Sequence, residues 1–171
     1  MGAAGPGASP RVGRRPVTDA DLPFLETVYA STRQEELAPV PWTDEQKAAF
    51  LHQQFTAQHE HYREHYPGAV LEVLEVDGQD AGRLYVARWP REIRVMDIAV
   101  LPAYRGRGIG TMLLRELIEE GRASGRAVSI HVERMNPALQ LYQRLGFTLK
   151  EDKGVYLLLE HPGGAGPDAN A

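Results

Sequence analysis

Three glycines at alternate positions, Gly106, Gly108 and Gly110, fall where the apolar run "IRVMDIAV" ends and helical spacing begins at Met112. Glycine weakens a helix or strand, so this placement implies a backbone demand that other residues meet poorly. Positive φ values let successive main-chain N–H groups converge on one point. The dipole of the helix that follows adds partial positive charge there. Arg105 and Arg107 bring full charges suited to phosphate oxygens. The segment "LPAYRGRGIGTMLL" therefore reads as strand end, anion-binding turn and helix start, with a phosphate or pyrophosphate as the anion.

Periodicity on either side gives a mixed α and β order. "RPVTDADLPFLETVYAST" reads as a short strand and a helix, with Asp19 or Asp21 placed as its cap and Leu22, Leu25, Val28 and Tyr29 on one face. Thr43 and Gln46 have the form of a capping box, opening a helix over about 43–66 that Pro67-Gly68 ends. Leu51, Phe55, Tyr62 and Tyr66 form its apolar stripe, with His59 inside it. "AVLEVLEV", "AGRLYVARW" and "IRVMDIAV" are three strands of a meander, joined through the turn signal "DGQD" and through "PRE". Pro102 stops the last of them. A helix over 109–123, the strand "AVSIHVE", a helix capped by Asn136 with Pro137 at its first position, and the hairpin "FTLKEDKGVYLLLE" complete the order.

Length and composition set bounds. A chain of 171 residues with 43% hydrophobic content builds one ordinary domain, expected over 14–161. Residues 1–13 and 162–171, rich in Gly, Ala and Pro, read as flexible arms, and the first lacks the apolar core of a secretory signal. A net charge of −4 argues against a nucleic-acid or membrane partner, and no run approaches a membrane span of about 20 apolar residues. Cysteine is absent, which removes thiolate catalysis and suits a cytoplasmic location.

Two common phosphate loops fail on spacing. A Walker loop needs Gly-Lys-Ser/Thr where this chain has Gly110, Thr111 and Met112, and a dinucleotide fingerprint needs G-x-G-x-x-G where the spacing here is G-x-G-x-G. "VLPAYRGRGIGTMLL" instead resembles the acetyl-CoA signature of the GNAT N-acetyltransferase superfamily, with Arg105, Gly108 and Gly110 at the patterned positions. "NPALQLYQRLGF" resembles the second signature of that family, and the two together cover 93–149. Residues 14–88 agree in element order only.

The resemblance implies an α/β fold: a mixed, twisted, mostly antiparallel sheet, its central parallel strands splayed, flanked by about four helices. Acetyl-CoA would enter as co-substrate, its pantetheine arm pairing with the backbone of Ile98, Ala99 and Val100. Its pyrophosphate would lie on Arg105, Gly106, Arg107, Gly108, Ile109 and Gly110, with Asn136 completing the cofactor set and no metal taking part. Tyr142, in the second signature, would supply the proton to the departing thiolate. Some relatives carry a glutamate base on the fourth strand, where this chain has Arg94, and others one on the fifth, where it has His131. His131 has a suitable ordinary pKa; Asp97, Glu133 and ordered water are its rivals.

The activity implied is acetyl transfer from acetyl-CoA to a primary amine of a small or amino-acid-like acceptor. Direct attack in a ternary complex is expected, because no cysteine can carry the acetyl group. The alternatives are a protein lysine or N-terminal amine as acceptor, and a non-catalytic acyl-CoA sensor. Tyr29, Arg33, Glu35, Glu36, His59, Tyr62 and Tyr66 belong to the two N-terminal helices, which in this superfamily usually cover the acceptor cleft. A monomer or homodimer is expected. "HYREH", residues 61–65, formally matches a zinc pattern, but His61 and His65 continue a polar row with Gln54 and Gln58, as a solvated helix face does.

Overall fold

A computed structural model of the chain describes residues 10–164. Among these the order is β1 (Val12–Pro16), α1 (Leu22–Leu37), α2 (Asp44–His65), β2 (Val70–Val76), β3 (Gln79–Arg88), β4 (Glu92–Val100), α3 (Ile109–Ser124), β5 (Ala127–Glu133), α4 (Leu139–Arg144), β6 (Thr148–Asp152) and β7 (Tyr156–His161). The strands form one sheet in the order β1-β2-β3-β4-β5-β7-β6. β1 runs antiparallel to β2, and β7 antiparallel to both β5 and β6. β4 and β5 run parallel from Glu92↔Ala127 to Val95↔Ile130. Both strands continue past that ladder, β4 to Val100 and β5 to Glu133. This is the mixed sheet with parallel central strands that the motifs imply.

The described residues divide into two compact units. The first holds the described residues up to Leu84 together with Ile98–Arg107; the second holds Tyr85–Asp97 and the residues from Gly108 onward. In the first unit, the helical spacing of Leu25, Val28 and Tyr29 puts all three on the buried face of α1. Leu25 and Tyr29 pack with Phe55 of α2 and Val73 of β2. The capping box forms as expected: Gln46 N donates to Thr43 Oγ1 (3.1 Å) and Thr43 N to Gln46 Oε1 (2.9 Å). Asp21 stands at the N-cap position of α1, but its side chain makes no capping bond to that helix. Its carboxylate instead accepts from Thr18 N (2.8 Å) and from both terminal nitrogens of Arg15 (2.8 and 2.9 Å). The Arg15 bond first, then the Thr18 bond, hold the Asp21 carboxyl down at about 2.

Gly82 fixes how closely β3 and β4 approach within this unit. A methyl group there would lie 2.2 Å from the Ala99 carbonyl oxygen and 2.9 Å from Val100 Cα. A lone glycine inside a strand often marks such a contact. β1 begins at Val12, where it pairs with Val76, two residues ahead of the expected domain start at 14. Residues 1–9 and 165–171 of the expected arms lie outside the described residues. Residues 162–164 are tied to the second unit, since Gly164 N donates to Arg126 O (3.2 Å).

In the second unit, α3 buries Ile109, Leu113, Leu114, Leu117 and Ile118 along one stripe. Its Gly121 lets the helix meet the chain at Arg126, whose carbonyl would lie 2.7 Å from an added methyl. β6 is the end strand, all five of its residues exposed, with a register shift between Leu149 and Glu151. α4 begins at Leu139, later than the cap at Asn136 predicts. Asn136 Oδ1 accepts from Ala138 N (2.8 Å), so the side chain makes a local turn ahead of the helix. Among the described residues no helix is long and apolar enough to cross a membrane.

Three histidines prefer the neutral state in the fold. Burial, the first cause in each, lowers the pKa of His59, His131 and His161. Gly163 N donates to His161 Nδ1 (2.9 Å), a lone pair that protonation would remove. The unfolded chain therefore binds more protons below about pH 6.5, and stability falls as pH drops through that value. Thermal melts at pH 7.5 and 5.5 are expected to show a lower Tm at pH 5.5, with a smaller drop in His161→Gln.

Candidate active site

The glycine turn has the backbone its spacing predicts. Gly106 and Gly108 adopt φ +76° and +79°, and, adjoining backbone apart, no atom lies within 4 Å of where a side chain would begin at Gly106, Gly108 or Gly110. Gly108 is the left-handed N-cap of α3, and the first helical bond runs from Met112 N to the Gly108 carbonyl (3.0 Å). The amides of Ile109, Gly110 and Thr111 precede that bond, so they head the helix as donors outside its ladder. An anion of phosphate size suits this arrangement.

The arginines take local partners. Arg105 Nε donates to the Val100 carbonyl (3.2 Å), and its Nη2 reaches Ser31 O and Oγ (both 3.4 Å). The Arg107 guanidinium lies 5.5 Å from the centre of the Tyr104 ring. These contacts are exposed and long, and charge-assisted bonds to phosphate are stronger than either. Ile98, Ala99 and Val100 form the end of β4, held to β3 where Leu101 N donates to Ala81 O (2.8 Å).

Tyr142 is buried on α4, 6% exposed, with its ring at an angle to Phe147 (6.2 Å between centroids). Burial first, and then the negative charge of Asp97, push the phenol up to about 12. It therefore stays protonated through the neutral range, with a proton available to donate. A free thiol has a pKa of about 8.5, so complete proton transfer from this phenol to a thiolate runs uphill. Donating a hydrogen bond to sulfur as its charge develops carries no such penalty.

His131 sits in a polar network that the β4–β5 register builds. Arg94 lies opposite Ser129 in the parallel ladder. Arg94 Nε donates to Ser129 Oγ (2.6 Å) and Nη2 to Glu92 Oε2 (2.8 Å), while Ser129 Oγ donates to the same Glu92 oxygen (2.6 Å). The guanidinium also stacks on Trp89 at 5.2 Å. Arg94 Nη1 faces His131 Nδ1 at 3.4 Å, and Lys153 Nζ lies 3.1 Å from Nε2. Burial first, then Arg94 and Lys153, depress the His131 pKa. Glu92, Ser129, Trp89 and Lys153 were not singled out from the sequence. The only signal was the alternation of polar residues along β4 and β5.

Other candidates take structural positions. Tyr29 is a core residue, and Arg33 pairs with Glu36 (3.1 Å) while lying over the Tyr29 ring. His61 and His65 stack at 4.3 Å, and His65 Nδ1 lies 3.1 Å from the His61 carbonyl. Among the described residues no group of three or more histidines and carboxylates is arranged to hold a metal.

A family model described as "Acetyltransferase (GNAT) domain" matches residues 67–149. The chain is 49% identical over 59 residues to the N-alpha-acetyltransferase RimI of Mycobacterium tuberculosis, covering 34% of this chain and 36% of that protein. It is 44% identical over 68 residues to the mycothiol acetyltransferase of Corynebacterium glutamicum, covering 39% of this chain and 23% of that one. The chain thus spans less than half the length of these curated relatives. The PaiA N-acetyltransferase of Thermoplasma acidophilum, solved in complex with coenzyme A, shares the fold with a TM-score of 0.67 at 16% identity, over 89% of this chain and 99% of that one. Residues 67–149 thus match the GNAT acetyltransferase domain, and the chain shares the fold of a solved N-acetyltransferase.

Proposed function

We propose that this protein is an acetyl-CoA-dependent N-acetyltransferase acting on a primary amine of a small or amino-acid-like acceptor, by direct attack in a ternary complex. The observation that carries the reading is the left-handed backbone at Gly106 and Gly108 leading into an α3 N-terminus whose first amides lie outside the helix ladder. Arg105, Gly106, Arg107, Gly108, Ile109 and Gly110 would hold the pyrophosphate, and the backbone of Ile98, Ala99 and Val100 the pantetheine. Acetyl-CoA supplies the activated thioester when bound. Tyr142 donates to the sulfur, and His131 takes the proton of the attacking amine at Nε2. Asp97 shapes the setting of Tyr142 by its charge. Asn136 orders the approach to α4 through its bond to Ala138.

The similar proteins include a mycothiol acetyltransferase and an N-alpha-acetyltransferase. A thiol-release assay over a panel of small amines and N-terminal peptides tests the activity. Turnover of peptides alone would overturn the small-acceptor reading, and coenzyme A binding without turnover of any amine would leave a sensor. Gly108→Val forces a β-branched residue to φ +79°, a conformation L side chains resist. Calorimetry is expected to show coenzyme A affinity reduced at least about tenfold, equivalent to about 1.4 kcal/mol. Unchanged affinity would remove the turn from the site.

A further inference from the structure

The chain has three lysines, Lys47, Lys150 and Lys153, and the fold treats them differently. Lys150 is pinned to Glu160 (2.7 Å), and that bond is the first cause raising its pKa. An ammonium held by a carboxylate is a poor nucleophile because its lone pair carries a proton. Lys47 lies on the first turns of α2. Lys153 meets a neutral base: its Nζ lies 3.1 Å from His131 Nε2.

The contact is directional. A neutral imidazole has one lone pair and one N–H. Arginine always donates, but Arg94 Nη1 stands 3.4 Å from Nδ1, beyond the usual hydrogen-bond range. Both neighbours are donors and the ring has one lone pair to offer; in the tautomer that carries its proton on Nδ1, Nε2 accepts from Lys153, the shorter of the two contacts. The turn that presents Lys153 is itself tied down. Lys153 N donates to Tyr156 O (2.9 Å), Gly154 N to Asp152 Oδ1 (2.9 Å), and Arg134 Nε to Gly154 O (3.1 Å). The charged groups facing the imidazole are Arg94 and Glu92 from β4, Glu151 from β6 and Lys153 from the turn. An exposed primary amine is therefore seated on the nitrogen that would deprotonate an acceptor.

We propose that Lys153 is a self-acetylation site, an internal acceptor amine delivered to His131; this rests on the acyltransferase reading above. In the step, a proton passes from Nζ to Nε2, and the Nζ lone pair attacks the acetyl carbonyl carbon. The C–S bond then breaks. Of the two protons the ammonium loses, one reaches the departing sulfur and the other leaves through His131. The products are Nε-acetyl-lysine and coenzyme A. Ordinary lysine and histidine pKa values differ by about 4 units, so the reaction is slow beside turnover of a less basic acceptor.

The test uses the full chain, deuterated acetyl-CoA without added amine, and peptide mass mapping over time. Label at Lys153 is expected to exceed that at Lys47 and Lys150 at least tenfold. It should vanish in Lys153→Arg and fall to the level of the other lysines in His131→Ala. Equal labelling of the three lysines in the unaltered chain, which requires no variant to fold, marks simple chemical acetylation and overturns the proposal. Undiminished labelling of Lys153 in His131→Ala also overturns it. A protein that acetylates an added amine but leaves Lys153 at the Lys47 level overturns the self-acetylation site and leaves the acyltransferase reading standing. One that does neither overturns both.

Discussion

Replacing Tyr142 by phenylalanine is expected to lower kcat by about 10²- to 10³-fold, the usual scale for losing a positioned proton donor. The variant keeps the ring and its edge contact with Phe147, so packing is preserved and only the hydroxyl is lost. KM for the acceptor and Tm should change little, and that split separates a donor from a core residue. The phenol is raised to about 12, so the unaltered enzyme should keep its donor protonated up to at least about pH 10. Single-turnover rates for both proteins from neutral pH up to about pH 10 check this. A kcat equal to that of the unaltered chain would make Tyr142 a packing residue and return the thiolate's proton to solvent.

Gly82→Val is expected to be the most disruptive single change in the first unit. The new Cβ would begin 2.2 Å from the Ala99 carbonyl oxygen, well inside contact distance, and the obstacle is backbone. β3 and the end of β4 must then part, which costs about 3 kcal/mol or more and lowers Tm by roughly 10 °C. The residues displaced are Ala99 and Val100, so coenzyme A affinity should fall together with stability. Gly13→Val is the control. It also lies in a strand of this unit, but a methyl there meets nothing nearer than 3.9 Å. Melting curves in which the two variants match would mean that β3 and β4 tolerate separation.

Local chemistry was the legible part. Thr43 and Gln46 announced the start of α2 because a capping box is complete within four residues, and Gly106 and Gly108 announced their positive φ, which Gly110, inside α3, does not share. The Asn136 cap was misplaced for an instructive reason. A side-chain oxygen accepting from the amide two residues on serves a helix cap and a free-standing turn alike, and Pro137 is compatible with both. The network around His131 was out of reach, because it exists only through the register that sets Arg94 opposite Ser129. No single-strand pattern encodes which residue of a distant strand stands opposite. Gly82 carried a signal, a lone glycine within a strand, but the strand it admits is a tertiary fact. Position alone makes Arg105 a phosphate candidate; its length also lets it reach back to Val100.

The last strand of the sheet order bears on how this protein behaves at high concentration. An outermost strand exposes a row of amides and carbonyls that invites another chain to pair. β6 presents Lys150, Glu151 and Asp152 in succession and is offset at its bulge, so a flat, in-register approach by a second molecule meets charge and a broken repeat. Edge-to-edge pairing by a second chain is thereby discouraged at that margin.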